Sequence, residues 1–95
     1  MFGTIARAKI KPDNRAAFED LMRRQMADSP IQGFVAGYTV WPEKVDDEVM
    51  LVAIFEDRDS YMRNADDPGQ DSRYREMRAL LESDPEWTDG EFVSG

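Results

Sequence analysis

The chain has no cysteine and no histidine among its 95 residues. Without cysteine there is no disulfide framework and no thiolate to serve as nucleophile or metal ligand. Without histidine, Ser–His and Cys–His catalysis, nearly all zinc sites and histidine-ligated haem are excluded as well. Carboxylate, phenol, amide and guanidinium groups remain to carry any chemistry. Long apolar runs are missing too. No segment approaches a membrane span, and the opening MFGTIARAKIK lacks the continuous apolar stretch of a secretory signal, so a cytoplasmic, membrane-free protein is the expectation.

Positive charge is scarce: 12 Lys and Arg face 20 Asp and Glu, for a net charge of -8. The deficit lies in one half of the chain. Residues 1–37 carry six bases and four acids, whereas residues 38–95 carry six bases and sixteen acids. Such a surface repels phosphate backbones, which argues against a nucleic-acid partner; maintenance of solubility accounts for it more simply. The mean hydropathy of -0.65 does not signal disorder, because 41% of the residues are apolar and they gather into distinct runs. Residues 1–95 make one domain, near the small end of what folds on a single core.

Periodicity then orders the elements. FGTIARAKI, residues 2–10, alternates as a strand does. In residues 12–28, Pro12 suits a first helical position, Asp13 suits the positive end of the helix dipole, and Phe18, Leu21, Met22, Gln25 and Met26 form one stripe; Ser29-Pro30 is the predicted stop. GFVAGYTVW, residues 33–41, reads as a second strand, and residues 47–57 return antiparallel to it after a loose hairpin. RDSYMRNA predicts a short helix, DDPGQD interrupts it with Asp67-Pro68 able to cap a new turn, and SRYREMRALLES resumes the helical period. PEWTDGEFVS closes the chain as a strand.

The order β-α-β-β-α-β, with the second helix split in two, predicts an α+β ferredoxin-like fold: a four-stranded antiparallel sheet with its helices on one face. The segment DEVMLVAIFED complicates that picture. Val49, Leu51, Ala53 and Phe55 point to one side of the strand and Met50, Val52 and Ile54 to the other, so both sheet faces are apolar. Helices cover only one of them. An apolar patch beyond a few hundred Å² is unusual on a monomer, and a second copy of the chain, paired by a two-fold axis, is the economical cover.

With these elements in place the sequence resembles the antibiotic biosynthesis monooxygenase-like family of the dimeric α/β-barrel superfamily. The likeness rests on the Pro12-led helix, on IQGFVAGYTVW, on LVAIFEDRDSYMRNADDP leading into the broken helix, and on PEWTDGEFV as the final strand. It implies a homodimer whose two sheets meet face to face, with helices outside and a pocket between sheet and helices in each subunit. Active members oxidise aromatic polyketide-like or quinol substrates with molecular oxygen and no cofactor or metal. Others degrade haem through a ligating histidine, which this chain does not possess. Where many members have a tryptophan at the end of the third strand and a histidine in the short helix, this chain has Phe55 and Asn64. Asn64-x3-Pro68-x5-Tyr74 resembles the pattern of the ring monooxygenases except that Pro68 stands in place of a tryptophan.

The resemblance therefore implies Asn64 and Tyr74 as catalytic residues. An amide supplies donor and acceptor and a tyrosine hydroxyl does likewise, which suits the formation and holding of a substrate phenolate. Tyr61, three residues before Asn64, is a candidate wall of the same cavity, with Phe55 and Met77 as apolar contacts and Arg78 or Arg7 as a cation for a phenolate. Each also has a structural reading: Asn64 as a helix terminator, the tyrosines as core aromatics and the arginines as surface charges. Asp66, Asp67 and Asp71 lack the spacing of a calcium loop, and capping at Pro68 accounts for them. Trp41 and Trp87 are expected to edge either the pocket or the dimer contact. The expected function is cofactor-independent monooxygenation of a small aromatic. The alternative is a non-catalytic homodimer that binds a small apolar ligand or plays a structural part, and isomerase or dehydratase chemistry ranks last. Phe55, in the place of the pocket-end tryptophan, would turn the set Val49, Leu51, Ala53 and Phe55 toward the helices and the other set toward the partner.

Overall fold

The computed structural model describes residues 1–28 and 31–95. Four strands, β1 (Phe2–Lys9), β2 (Phe34–Val40), β3 (Glu48–Phe55) and β4 (Glu86–Glu91), form one sheet in the order β2-β3-β1-β4, with every neighbouring pair antiparallel. Three α-helices, α1 (Arg15–Asp28), α2 (Arg58–Asp66) and α3 (Pro68–Arg78), accompany it. This is the ferredoxin-like α+β fold that the sequence pattern predicts, with the second helical region broken in two. None of the described helices is long and apolar enough to cross a membrane.

The local departures have local causes. Residues Pro12–Asn14 are a 3₁₀ turn rather than the first turn of the expected helix over 12–28, with Asn14 N–H donating to Lys11 O at 2.9 Å and Arg15 N–H to Pro12 O. Proline begins such a turn without losing a bond because it has no N–H to donate. The predicted stop at Ser29-Pro30 lies outside the described residues. The break between α2 and α3 falls at Asp67, whose side chain accepts from Gly69 N–H at 3.1 Å, so α3 starts at Pro68 inside the stretch read as an interruption. It also ends earlier than the sequence period suggests. Leu81 leaves the helix to pair with Ile10 beyond β1, and Glu82 N–H donates to Lys9 O at 2.8 Å. Edge pairing and burial of Leu81 thus override helical continuation at the end of α3.

The register decides which side chains share a face. Across β3 and β1, Phe55 pairs with Phe2, Ala53 with Thr4, Leu51 with Ala6 and Val49 with Ala8. Val49, Phe55, Ala6 and Ala8 are buried, and the core gathers Ile10, Phe18, Leu21, Val49, Met77 and Leu81 with Leu51 packed against it. These residues lie on the helix side of the sheet, as the resemblance at Phe55 implies. The opposite face carries Met50, Val52 and Ile54 of β3, with Ile5 of β1 and Tyr38 and Val40 of β2 beside them. Ile5, Tyr38 and Val40 are exposed, so within a single subunit this apolar face is open. Phe34 and Trp87 pair in register with Phe55 and Ala6 and belong to the helix side.

Candidate functional site

Small residues open a space under the helices. One row across the helix side of the sheet runs Gly37–Ala53–Thr4–Asp89, flanked by the bulkier rows Thr39–Leu51–Ala6–Trp87 and Phe34–Phe55–Phe2–Glu91. With no bulky side chain between Phe55 and Leu51 to fill the gap, α1, α2 and α3 roof an open cleft of about 1020 Å³. That is at the upper end of the size of small-molecule sites. Its lining is mostly apolar, supplied by Met22, Met26, Phe34, Leu51, Phe55 and Met77, and most of its polar groups come from α2, α3 and β4, with Thr4, Gln25 and Thr39 adding others.

Of the residues singled out from the sequence, Asn64, Tyr74, Tyr61, Phe55 and Met77 all line this cleft. Asn64 sits in the last turn of α2, where its carbonyl accepts from Asp67 N–H at 3.2 Å while its side chain reaches into the space. It therefore both ends a helix and faces the cleft. Tyr74, one face of α3, is half-buried with its ring 6.5 Å from that of Trp87, so Trp87 edges the pocket. Phe55 is buried in the floor, set edge-on to Phe34 and Tyr61 at 5.4 and 5.6 Å, and Met77 of α3 joins the roof to the core. Trp41 packs away from the cleft against Phe18, with Arg15 over its ring.

Tyr61 is held from two sides. Its ring leans on Phe2 and Phe55, and its hydroxyl donates to Asp89 Oδ1 at 2.8 Å. Burial of the ring, reinforced by the acceptor Asp89, pushes the Tyr61 hydroxyl up from 10.0 to about 12, so it remains a neutral donor throughout the ordinary pH range.

Two arginines lie elsewhere. Arg78 turns outward to Asp84 Oδ1 at 2.7 Å and to Leu81 O at 3.0 Å, and it is not part of the cleft lining. Arg7 is on the opposite sheet face, 3.2 Å from Glu48. The guanidinium that does face the cleft belongs to Arg73, with its side chain only 21% exposed. Arg73 Nε donates to Gln70 Oε1 at 3.1 Å, and Nη2 lies 3.5 Å from both Asn64 Oδ1 and Asp67 Oδ2. Arg73, Gln70 and Asp89 are among the cleft residues that sequence reasoning missed. For the first two a signal existed: both lie one helical turn or less from Tyr74, on the α3 segment that follows the cap at Asp67. Asp89 offered none, because its place depends on the pairing of Asp89 with Thr4.

The acidic cluster has structural duties. Asp67 caps α3, and Asp71 is paired with Arg75 at 2.7 Å. Among the described residues no three carboxylates converge as a metal site would require.

Against this geometry the comparisons with known proteins are informative. The profile of the antibiotic biosynthesis monooxygenase family matches residues 1–70, almost three quarters of the chain. The chain belongs to the antibiotic biosynthesis monooxygenase family. Among solved structures it is similar to two crystal structures of SnoaB, a cofactor-independent oxygenase from Streptomyces nogalater. The first, a variant with an asparagine replaced by alanine, superposes with a TM-score of 0.80 at 22% identity over 99% of this chain and 94% of that one. The second gives 0.70 at 23% identity over 97% and 94%. A family protein from Caulobacter crescentus reaches 0.80 at 13% identity over 98% and 90%. At these identities the structural likeness establishes the fold. No curated protein sequence matches the chain. The family profile ends at Gln70, so Arg73, Tyr74 and Asp89 are known from this protein's own geometry.

Proposed function

We propose that this protein is a cofactor-independent monooxygenase that oxidises a small aromatic of phenol, anthrone or quinol type in the cleft between helices and sheet. The observation that carries the reading is an open, largely apolar cleft with both Asn64 and Tyr74 in its lining. A filled interior at this point would have supported the non-catalytic alternative. The family membership and the likeness to SnoaB support the same choice.

The reaction needs no external reductant. A ring CH₂ plus O₂ gives C=O plus H₂O, and a phenol ring C–H plus O₂ gives a quinone plus H₂O; in each case the substrate supplies all the electrons. What the protein has to do is favour the electron-rich anion of the substrate and keep the reacting carbon away from bulk water. Asn64 and Tyr74 are the groups for hydrogen bonding to the substrate oxygen as the anion forms, while the proton leaves toward solvent through the open mouth of the cleft. Phe55, Tyr61 and Met77 supply flat and adaptable apolar contacts for the ring. Arg78 has no role in this reading, since its partners are Asp84 and Leu81.

The reading includes a homodimer joined through the open sheet face, supported by the exposed apolar side chains of Ile5, Tyr38 and Val40. The activity is tested by following oxygen uptake with metal-free protein and a panel of anthrones and quinols. Turnover of at least one class, with a loss of about 10²–10³-fold in kcat for Asn64→Ala, is expected for removal of one anion-stabilising donor. Absence of uptake across the panel, or full activity in Asn64→Ala, overturns it.

A further inference from the structure

We propose that Arg73 and Gln70 are positioning residues that lock the Asn64 amide with its N–H groups toward the cleft, so that the site takes an aromatic ligand by its ionised phenolate oxygen. The proposal deepens the oxygenase reading and rests on it for the class of ligand.

A guanidinium has donors only, so the atom of Asn64 nearest Arg73 must be the amide oxygen. Arg73 Nη2 lies 3.5 Å from Asn64 Oδ1, and Arg73 Nε donates to Gln70 Oε1 at 3.1 Å. The same Gln70 oxygen stands 3.5 Å from Asn64 Nδ2 and accepts from it. The three side chains close a ring in which each contact has one donor and one acceptor. Turning the Asn64 amide over would set N–H against N–H at Arg73 and oxygen against oxygen at Gln70. With Oδ1 engaged by Arg73 and one N–H by Gln70, the second Nδ2–H is left for a ligand, beside the positive charge of Arg73. Asn64 thus acts as a donor to the substrate oxygen and not as its proton acceptor.

Arg73 is itself anchored. Its carbonyl accepts from Gln25 Nε2 of α1 at 3.1 Å, so the helix that carries the guanidinium is tied across the roof of the cleft. Carboxylates also face this region: Asp67 at 3.5 Å, Asp66 and Asp71 on the same rim with Asp71 paired to Arg75, and Asp89 across the cleft beneath the Tyr61 hydroxyl. Asp66, Asp71 and Asp89 oppose an anion alike in the wild type and in variants at residues 70 and 73, whereas Asp67 loses its partner in Arg73→Met and keeps it in Gln70→Met, so Gln70→Met reads the ring apart from that pair. The contribution of the ring is therefore read as a difference between proteins. Hydrogen bonds to an ionised oxygen are about twice as strong as those to a neutral one, so a site that offers oriented donors and a cation discriminates in favour of phenolate.

The probe is 4-nitrophenol, whose phenol and phenolate forms have separate absorption bands. Its pKa when bound is measured for the wild type, Arg73→Met, Arg73→Lys and Gln70→Met, with circular-dichroism melts to establish that each is folded. The phenolate is expected to be favoured over the phenol about tenfold more by the wild type than by Arg73→Met, which is a bound pKa about one unit lower. Gln70→Met should move in the same direction as Arg73→Met, and Arg73→Lys, a point charge without a fork, should fall between. Equal bound pKa values in the wild type, Arg73→Met and Gln70→Met overturn the proposal. So does a wild type that binds no dye, or an unaffected Gln70→Met beside an Arg73→Lys that matches the wild type, since charge alone would then suffice. Oxygen uptake is followed on the same proteins. A dye difference without uptake on any aromatic sinks the oxygenase reading alone, and uptake without a dye difference sinks this inference alone.

Discussion

Val52→Lys tests how the second apolar sheet face is used. Val52 lies on β3 opposite Ile5 of β1 and Tyr38 of β2, at the middle of the face turned away from the helices. In a free subunit the residue is half-buried on an open surface, so a lysine there can extend its ammonium into water. The loss of protomer stability should stay within about 1 kcal/mol, the span of strand preferences in a host sheet. In a two-fold dimer with the sheets face to face the same lysine is enclosed, and symmetry puts it there twice. An uncompensated buried charge costs about 3–5 kcal/mol, so two of them weaken association by roughly 10⁴- to 10⁷-fold. Sedimentation equilibrium at micromolar concentration should give the wild type twice the 10.9 kDa of the chain and Val52→Lys a single chain mass, with the same far-ultraviolet dichroism. A wild type that sediments as one chain, or a Val52→Lys protein that remains dimeric at the same concentrations, refutes the assignment of this face.

Further outcomes follow from the cleft and its supports. Tyr74→Phe keeps the ring that meets Trp87 and removes the hydroxyl, so kcat for oxygen uptake should fall by about 10²-fold with little change in melting temperature; an unchanged kcat removes Tyr74 from the catalytic assignment. The hydroxyl of Tyr61 ionises at about 12 in the folded protein against 10.0 when exposed, so its contribution to stability is complete below pH 10 and is lost as the pH rises toward 12. Urea midpoints measured across that window should fall less steeply for Tyr61→Phe than for the wild type. Asp57 caps α2 by accepting from Ser60 N–H at 2.8 Å, and that bond holds its carboxyl below the ordinary 3.8. Its contribution is present above that value and is lost on acidification, so Asp57→Ala should melt lower than the wild type at neutral pH and converge with it as the pH falls below 3.8. Gly33 leads into β2 with φ of 81°, where a Cβ would collide with Ser60 Oγ. Gly33→Ala should cost about 1–3 kcal/mol, seen as a drop in thermal midpoint of about 4–8 °C for each kcal/mol.

The elements of the fold were legible because their signals are local. Alternation marked the strands, the Phe18–Met26 stripe marked α1, and Asp67-Pro68 marked the break between α2 and α3. Where the reading of an end went wrong, a tertiary contact had won: the helical period runs on through Leu80 and Leu81, but Leu81 leaves it to pair with Ile10. In the cleft, Asn64, Tyr61, Tyr74, Phe55 and Met77 were found because they lie on short segments with a recognisable pattern. Arg78 was chosen for its helical spacing from Tyr74, whereas the guanidinium in the cleft is that of Arg73, immediately before Tyr74. Successive helical residues point about 100° apart, so nearness in sequence does not tell which of two arginines faces a given space.

Sequence alone determined the chemistry available to this protein. With no cysteine or histidine, the chain has no thiol or imidazole chemistry of its own, and β3 carries two apolar sets of side chains, one for each face of the sheet. Only the tertiary structure decided where that chemistry is gathered. The cleft exists because strand register sets Gly37, Ala53, Thr4 and Asp89 in one row, and register is a relation between strands far apart in the chain that no single segment encodes. The same register brings Asp89 under Tyr61, and the turn at Asp67 swings α3 so that Gln70 and Arg73 meet Asn64. A one-residue slip of β4 would carry Asp89 and Trp87 to the opposite face and leave the cleft without one wall.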